Sequence, residues 1–233
     1  METLLLRDGM NLPKIGLGTF GIRDENMPRA IAAARDAGIR LFDTSPNYEV
    51  DVSLGQTFKQ VGLRREEITI VEKVDTGEQL QSIRIALEKC LARLGTDYID
   101  LYLIHWPFPG RYVDTWRQME QLCREGLVRS IGVCNFMPHH LARLIKETDT
   151  VPVVNQIELH PLFSQPDTVE YCRRRNIAVM AYTPLGRMNP ALINHPLIDS
   201  LSRKYGRTVP QIILRWDIQS GFVTIPKSQS PAR

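Results

Sequence analysis

Short runs of β-branched and aliphatic residues alternate along the chain with longer stretches in which apolar residues recur every three or four positions. Period-two runs predict strands and the 3.6-residue pattern predicts helices. On this basis strands are expected near 15–19, 40–44, 68–74, 99–106, 129–135, 153–158, 178–183 and 223–227. A hairpin from Leu4 to Lys14, turning near Asp8-Gly9, is expected before them. Between the strands, Pro28 can occupy the first turn of an alanine-rich helix that Gly38 stops. From Leu80 an apolar stripe runs through Ile83, Leu87, Cys90, Leu91 and Leu94 and is closed by Gly95. Eight strands separated mostly by single helices form a βα repeat with parallel, right-handed crossovers. The expected fold is α/β, a (β/α)8 TIM barrel preceded by a hairpin, in one domain spanning 1–233.

A doubly wound α/β fold competes, because Gly16-Leu17-Gly18-Thr19-Phe20-Gly21 satisfies G-x-G-x-x-G and Asp43 follows at a distance suited to a ribose-binding acid. The context argues against it. In that fold a helix opens within the glycine turn, whereas here Ile22-Arg23-Asp24-Glu25-Asn26 intervenes before the helix begins.

Three expected strands end in an ionisable residue, and alternation tests where each points. Asp43 shares parity with Leu41 and Ile39, Lys73 with Val71 and Thr69, and His105 with Leu103 and Leu101. In a barrel filled by branched aliphatics, each would cap an inward column at the carboxyl end of the strands, where barrel active sites lie. Tyr48 follows Asp43 closely enough to reach over the same mouth. Singly, a strand-end aspartate caps a loop, a lysine is solvated and a histidine is a hydrogen-bonded core residue; their convergence on one rim is what points to chemistry. A tyrosine ordinarily titrates near ~10, and a neighbouring cation favours its phenolate. Lys73 could supply that charge, Asp43 could hold the ammonium, and His105 could orient a carbonyl oxygen. Such a set suits proton transfer coupled to carbonyl reduction.

Bulk composition narrows the partners. The 233 residues are 43% apolar and 24% charged, which is globular usage, and 29 basic against 26 acidic side chains leave a net charge of +3. That balance does not mark a nucleic-acid binder, so an anionic ligand must be met locally. The acidic start Met1-Glu2-Thr3-Leu4 does not resemble a secretion signal, and no apolar run reaches the ~18 residues of a membrane span. Cys90, Cys123, Cys134 and Cys172 form no close pair. A cytoplasmic protein is expected, acting on a small molecule, binding neither nucleic acid nor membrane, with no metal.

Several segments together resemble the aldo-keto reductases: Gly16-Leu17-Gly18-Thr19-Phe20, Phe42-Asp43-Thr44-Ser45-Pro46-Asn47-Tyr48, Leu101-Tyr102-Leu103-Ile104-His105-Trp106-Pro107, Ile131-Gly132-Val133-Cys134-Asn135-Phe136, Asn155-Gln156-Ile157-Glu158 and Ile225-Pro226-Lys227-Ser228. Their order and spacing match over nearly the whole chain, and the likeness is greatest to the bacterial branch containing 2,5-diketo-D-gluconate reductases. The resemblance implies a TIM barrel that binds NADPH or NADP without a Rossmann domain; a monomer is expected. It implies a catalytic tetrad of Asp43, Tyr48, Lys73 and His105, with Tyr48 as proton donor and the nicotinamide as hydride donor. Cofactor contacts are implied for Gly18, Thr19, Asp43, Asn135 and Gln156, for Tyr182 stacked on the nicotinamide, and for Leu185 at the pyrophosphate. Lys227, Ser228 and Arg233 match the grip on the adenosine 2′-phosphate. Phe20 and Trp106, with Tyr48 and His105, match the walls of the substrate pocket.

The chain also departs from the pattern. Cys134 stands where serine is usual, which would weaken one polar contact to the carboxamide. Glu72, beside Lys73, is unusual, and its parity points it outward. The sequence stops at Arg233, just after the eighth strand, so the last helix and the tail are expected to be missing and the barrel domain carboxyl-terminally incomplete. The resulting expectation is an NADPH-dependent reductase of aldehydes, ketones or keto sugars. The rival is a non-catalytic nicotinamide-binding barrel acting as sensor or scaffold.

Overall fold

A strand buried on both faces needs apolar residues at every position, and the middle strands of this chain have them. In the computed structural model, which describes residues 2–229, Thr69–Val74 and Ile99–Ile104 are β5 and β6, and every residue of the latter is buried. They belong to an eight-stranded parallel sheet that also contains Leu17–Gly18 (β3), Leu41–Asp43 (β4), Val128–Cys134 (β7), Val154–Glu158 (β8), Ala178–Tyr182 (β9) and Val223–Thr224 (β10). The strands run in sequence order from β3 to β10, each hydrogen-bonded to the next. Between the outermost two, Gly16 N–H donates to the Thr224 carbonyl at 2.9 Å, Thr224 N–H to Lys14 at 2.9 Å, and Gly18 N–H to Pro226 at 3.0 Å. These bonds close the sheet into a barrel.

Residues of odd parity on β4, β5 and β6 line the interior: Leu41, Val71, Leu101 and Leu103 pack there with Val154, Met180 and Val223. Their even neighbours Phe42, Ile70, Tyr102 and Ile104 pack outward against the helices. The antiparallel hairpin of Thr3–Leu5 (β1) and Asn11–Pro13 (β2) stops the amino-terminal end by adding Leu6 and Leu12 to the interior cluster. Polar side chains are left to fill the opposite mouth.

Six helices each follow one strand: Met27–Asp36 (α1), Asp51–Gln60 (α2), Ile83–Leu94 (α3), Tyr112–Arg124 (α4), Pro138–Glu147 (α5) and Pro166–Arg174 (α6). Pro28 lies in the first turn of α1, and Gly38 turns the chain beyond it at φ 80°. Gly95 ends α3 in the left-handed region at φ 65°. Between β9 and β10 the chain makes three helices, Pro190–Ile193 (α7), Pro196–Tyr205 (α8) and Val209–Gln219 (α9). A proline in the first turn of each starts them separately, and Thr208 caps α9 in a reciprocal box with Gln211. Two glycines of the G-x-G-x-x-G run, Gly16 and Gly18, stand where the barrel leaves little room for a Cβ. A Cβ on Gly16 would lie 2.7 Å from Leu41 Cγ, and one on Gly18 would lie 3.0 Å from the Ile225 carbonyl oxygen. Among the described residues no helix is long and apolar enough to cross a membrane.

Where the barrel closes, Asp217 of α9 is fully buried behind β10. Thr224 Oγ1 donates to its Oδ2 at 2.8 Å, whereas Oδ1 has no hydrogen-bond partner among the described residues. Burial therefore pushes the carboxyl up from 3.8 to about 7, with the Thr224 bond opposing. Between those values the folded chain holds a proton that the unfolded chain has released. The stability this provides is fully present below 3.8 and is lost as pH rises to about 7. Asp217→Asn should remove that loss, gaining on the wild type by ~1–3 kcal/mol between pH 5 and pH 8, the upper figure following from ~1.4 kcal/mol for each pH step between 5 and about 7. Urea unfolding of both proteins at the two pH values measures it; parallel pH dependences would show that Asp217 stays ionised when folded.

Candidate active site

At the open mouth, the end of β5 places Lys73 inside the barrel with no exposed surface. A buried ammonium requires partners, and the ends of neighbouring strands supply them. Lys73 Nζ donates to Asp43 Oδ1 at 2.7 Å and to the Thr44 carbonyl at 2.6 Å. Gln156, on β8 halfway round the barrel, donates from Nε2 to Asp43 Oδ2 at 2.6 Å. Burial disfavours the Lys73 ammonium, but the charge of Asp43 leads the contributions that outweigh burial and hold the ammonium above its ordinary pKa.

Tyr48 ends the 3-10 turn Pro46–Tyr48 after β4, and Lys73 Nζ lies 5.0 Å from its ring centroid. Phe20 packs edge-on against that ring at 5.1 Å, and His105 faces it across the mouth at 6.1 Å. The lysine alone favours a lowered phenol pKa. Burial outweighs Lys73 here and pushes Tyr48 up to about 12, so the phenol carries its proton at neutral pH. His105 follows β6, and Trp106 stacks beside its ring at 6.5 Å. Phe20 and Trp106 flank the tyrosine and histidine as exposed rims, 65% and 50% accessible.

Amide groups occupy the next strand ends. Asn135, after β7, has φ 62°, donates from Nδ2 to the His105 carbonyl at 3.0 Å, and accepts the Tyr182 hydroxyl at Oδ1 at 2.9 Å. Gln156 and the half-buried Tyr182 close this side. Cys134 points into the barrel interior, fully buried, and burial raises its thiol pKa. Gly18 lies at the barrel seam, and Thr19 uses both N–H and Oγ1 to hold the Asp43 carbonyl, at 3.0 and 2.9 Å. Leu185 packs with Leu192, Ile198 and Ile213 beyond β9. Lys227 is exposed and Ser228 half-buried in the loop after β10. Arg233 lies outside the described residues.

Two supports were not anticipated from sequence. Asp51, at the start of α2, accepts Thr44 Oγ1 at 3.0 Å and Arg93 Nε at 3.0 Å, steadying the carbonyl that holds Lys73. Asp75, buried just past β5, accepts Ser45 Oγ and the Asn47 N–H at Oδ2, both at 3.0 Å, and pairs through Oδ1 with His105 Nδ1. Asp75 extends the parity of Val71 and Lys73 by one position; that alternation is the signal that could have found it.

Removing one member of a buried ion pair strands the other. Asp43→Ala should lower unfolding free energy by ~3–5 kcal/mol, and Asp43→Ala/Lys73→Met should recover part of the loss. Denaturant unfolding in a double-mutant cycle checks this; a double variant no better than the single would show that the cavity, not the orphaned charge, dominates.

The family model described as "Aldo/keto reductase family" matches residues 14–189. The chain is 41% identical over 229 residues to glyoxal reductase of Bacillus subtilis (strain 168), covering 97% of this chain and 82% of that protein. It is 41% identical over 230 residues to methylglyoxal reductase DkgA of Escherichia coli (strain K12), covering 98% and 83%. The fold superposes with a TM-score of 0.92 on the crystal structure of a Bombyx mori aldo-keto reductase in complex with NADP, at 35% identity, covering all of this chain and 85% of the other. With these likenesses spanning nearly its full length, the chain belongs to the aldo/keto reductase family.

Proposed function

We propose that the chain reduces small aldehydes, ketones or keto sugars to alcohols with NADPH, using Tyr48 as general acid. The observation that carries this reading is the buried Asp43–Lys73 pair beneath a protonated Tyr48, with His105 across the same mouth. NADPH supplies the hydride when bound. The strand ends fit its nicotinamide by the chemistry of their donors. Asn135 and Gln156 present amides held in place by other side chains, each able to match a carboxamide, and the Tyr182 ring lies beside them. The reductases of dicarbonyls among its relatives support small carbonyl substrates.

As hydride reaches the carbonyl carbon, negative charge grows on the oxygen, and a hydrogen-bond donor there is worth more than in the ground state. Burial keeps the Tyr48 proton in place until that charge develops. The phenolate left after proton transfer is met by the Lys73 ammonium, which Asp43 and the Thr44 carbonyl hold against the ring. Phe20 and Trp106 offer apolar flanks at the entrance.

Tyr48→Phe removes one hydroxyl and keeps the ring, so NADPH affinity should be nearly unchanged. Single-turnover aldehyde reduction should fall ~10²–10⁴-fold, the usual worth of general acid catalysis. Wild-type rates in that variant would place the proton elsewhere. At the other end of the cofactor, Lys227 is proposed to meet the 2′-phosphate. Lys227→Ala should weaken NADPH by ~1.5–3 kcal/mol, a charge-assisted contact, and leave NADH unchanged. Fluorescence titration with both cofactors reads the difference; equal losses would remove this assignment.

A further inference from the structure

The hydrogen bonds around Asp75 determine which nitrogen of His105 can carry a proton. Asp75 Oδ2 takes two donors, Ser45 Oγ and the Asn47 N–H, each at 3.0 Å. Its own backbone N–H donates to Glu78 Oε2 at 3.0 Å, and its side chain is buried. A carboxylate only accepts, and Oδ2 already takes two donors. The other oxygen, Oδ1, meets His105 Nδ1. Ser45 Oγ also lies 3.3 Å from Nδ1, but its single proton is committed to Asp75, so towards Nδ1 it too is an acceptor. Both of these neighbours of Nδ1 therefore require Nδ1–H. The contact with Asp75 orients the ring, with Trp106 stacked beside it at 6.5 Å and Tyr48 edge-on at 6.1 Å.

We propose that Asp75 is a positioning residue that fixes the proton of neutral His105 on Nδ1, so that His105 donates from Nε2 to the substrate carbonyl only as the doubly protonated imidazolium. The proposal rests on the reading that His105 orients the carbonyl. With one proton, Nε2 presents a lone pair to an oxygen that is becoming negative, and the contact is repulsive. With two, the ring presents a cationic donor opposite Tyr48. Proton delivery stays with Tyr48, whose O–H bond breaks as the alcohol O–H forms; His105 keeps both of its protons through the step. The charged and titratable groups facing this centre are Asp75 and Glu78 from the loop after β5, Lys73 within it, Asp43 and Tyr48 from β4 and its loop, and Cys134 at the end of β7. Asp75 contacts the ring directly, whereas Lys73 is paired with Asp43.

The test uses the NADP-bound protein labelled with nitrogen-15 at histidine, with His105 assigned by the signal that His105→Gln removes. Two-bond proton–nitrogen spectra across a pH series should show protonated Nδ1 and bare Nε2 once His105 has lost its second proton. The reverse tautomer would overturn the proposal, and this reading requires no variant at Asp75 to fold. In parallel, kcat/KM for a small dicarbonyl should fall with rising pH, with the midpoint that the spectra give for His105. Asp75→Asn should move both midpoints to lower pH and reduce kcat at least tenfold near neutrality, as misplacing a proton on a catalytic histidine does, with NADPH affinity unchanged. Asp75→Glu should restore part of the rate. A kinetic midpoint that ignores Asp75→Asn would also overturn it. Failure of Tyr48→Phe to slow reduction would instead strike the reductase mechanism and leave the tautomer result standing.

Discussion

A lysine side chain with no exposed surface is the constraint on which the mouth of this barrel depends. Its charge cannot be left unpaired in an apolar interior, and two residues at the end of the neighbouring strand answer it, Asp43 by charge and Thr44 by its carbonyl. Asp43 is held in turn from across the barrel by Gln156 and through its own carbonyl by Thr19. The same few bonds thus fix the relative heights of β3, β4, β5 and β8. Displacing any one of these strands by a single residue would turn its inward column outward and leave the ammonium without a partner.

Behind that layer lies a second one, on the outer wall. Glu72 points away from the interior, as its parity requires, yet is completely buried between sheet and helices. Its Oε1 accepts the Lys73 backbone N–H at 2.8 Å, and burial, with the charge of Asp51 nearby, pushes its carboxyl well up. The shift reflects the penalty of holding an anion there. Asp51 has the opposite solution: Arg93 and Thr44 satisfy both of its oxygens, so it stays a partner for the strand end. Of the two, only Asp51 is hydrogen-bonded to a guanidinium, while Glu72 Oε2 has no hydrogen-bond partner among the described residues.

Much of this was legible in the sequence because a barrel strand obeys one rule. Alternation placed Asp43, Lys73 and His105 on the inward columns, and the structure brings them to one mouth with Tyr48. It could not reveal Tyr48's acidity, because the phenol responds to the balance between burial and Lys73, and burial is set by side chains far apart in sequence, Phe20 among them. The glycine run was ambiguous for a related reason. A close approach of two backbones and a phosphate loop select the same residue, and only the distances to Leu41 and Ile225 separate them. Asp75 satisfied the alternation rule but lies past the strand's end, where a charged residue is ordinarily solvated. Its partners Ser45 and Asn47 come from another loop. Three helices between β9 and β10, where the repeat suggests one, reflect proline starts that periodicity does not count.

Strand ends give precision, but the loops that leave them must turn sharply enough to keep the mouth open, and the backbone records that strain. Glu49 after β4, Asn135 after β7 and Thr183 after β9 all adopt left-handed conformations without being glycine. Such a residue costs ~1–2 kcal/mol, more comfortably borne by asparagine than by a β-branched threonine. At Asn135 the compensation is visible. Its N–H donates to the Gln156 carbonyl at 2.9 Å, its amide to His105, and its oxygen takes the Tyr182 hydroxyl. One strained residue therefore joins the ends of four consecutive strands, β6 to β9. The turn that aims its side chain across the mouth is the same turn that prevents β7 from continuing as a strand, so the strain and the site have a single origin.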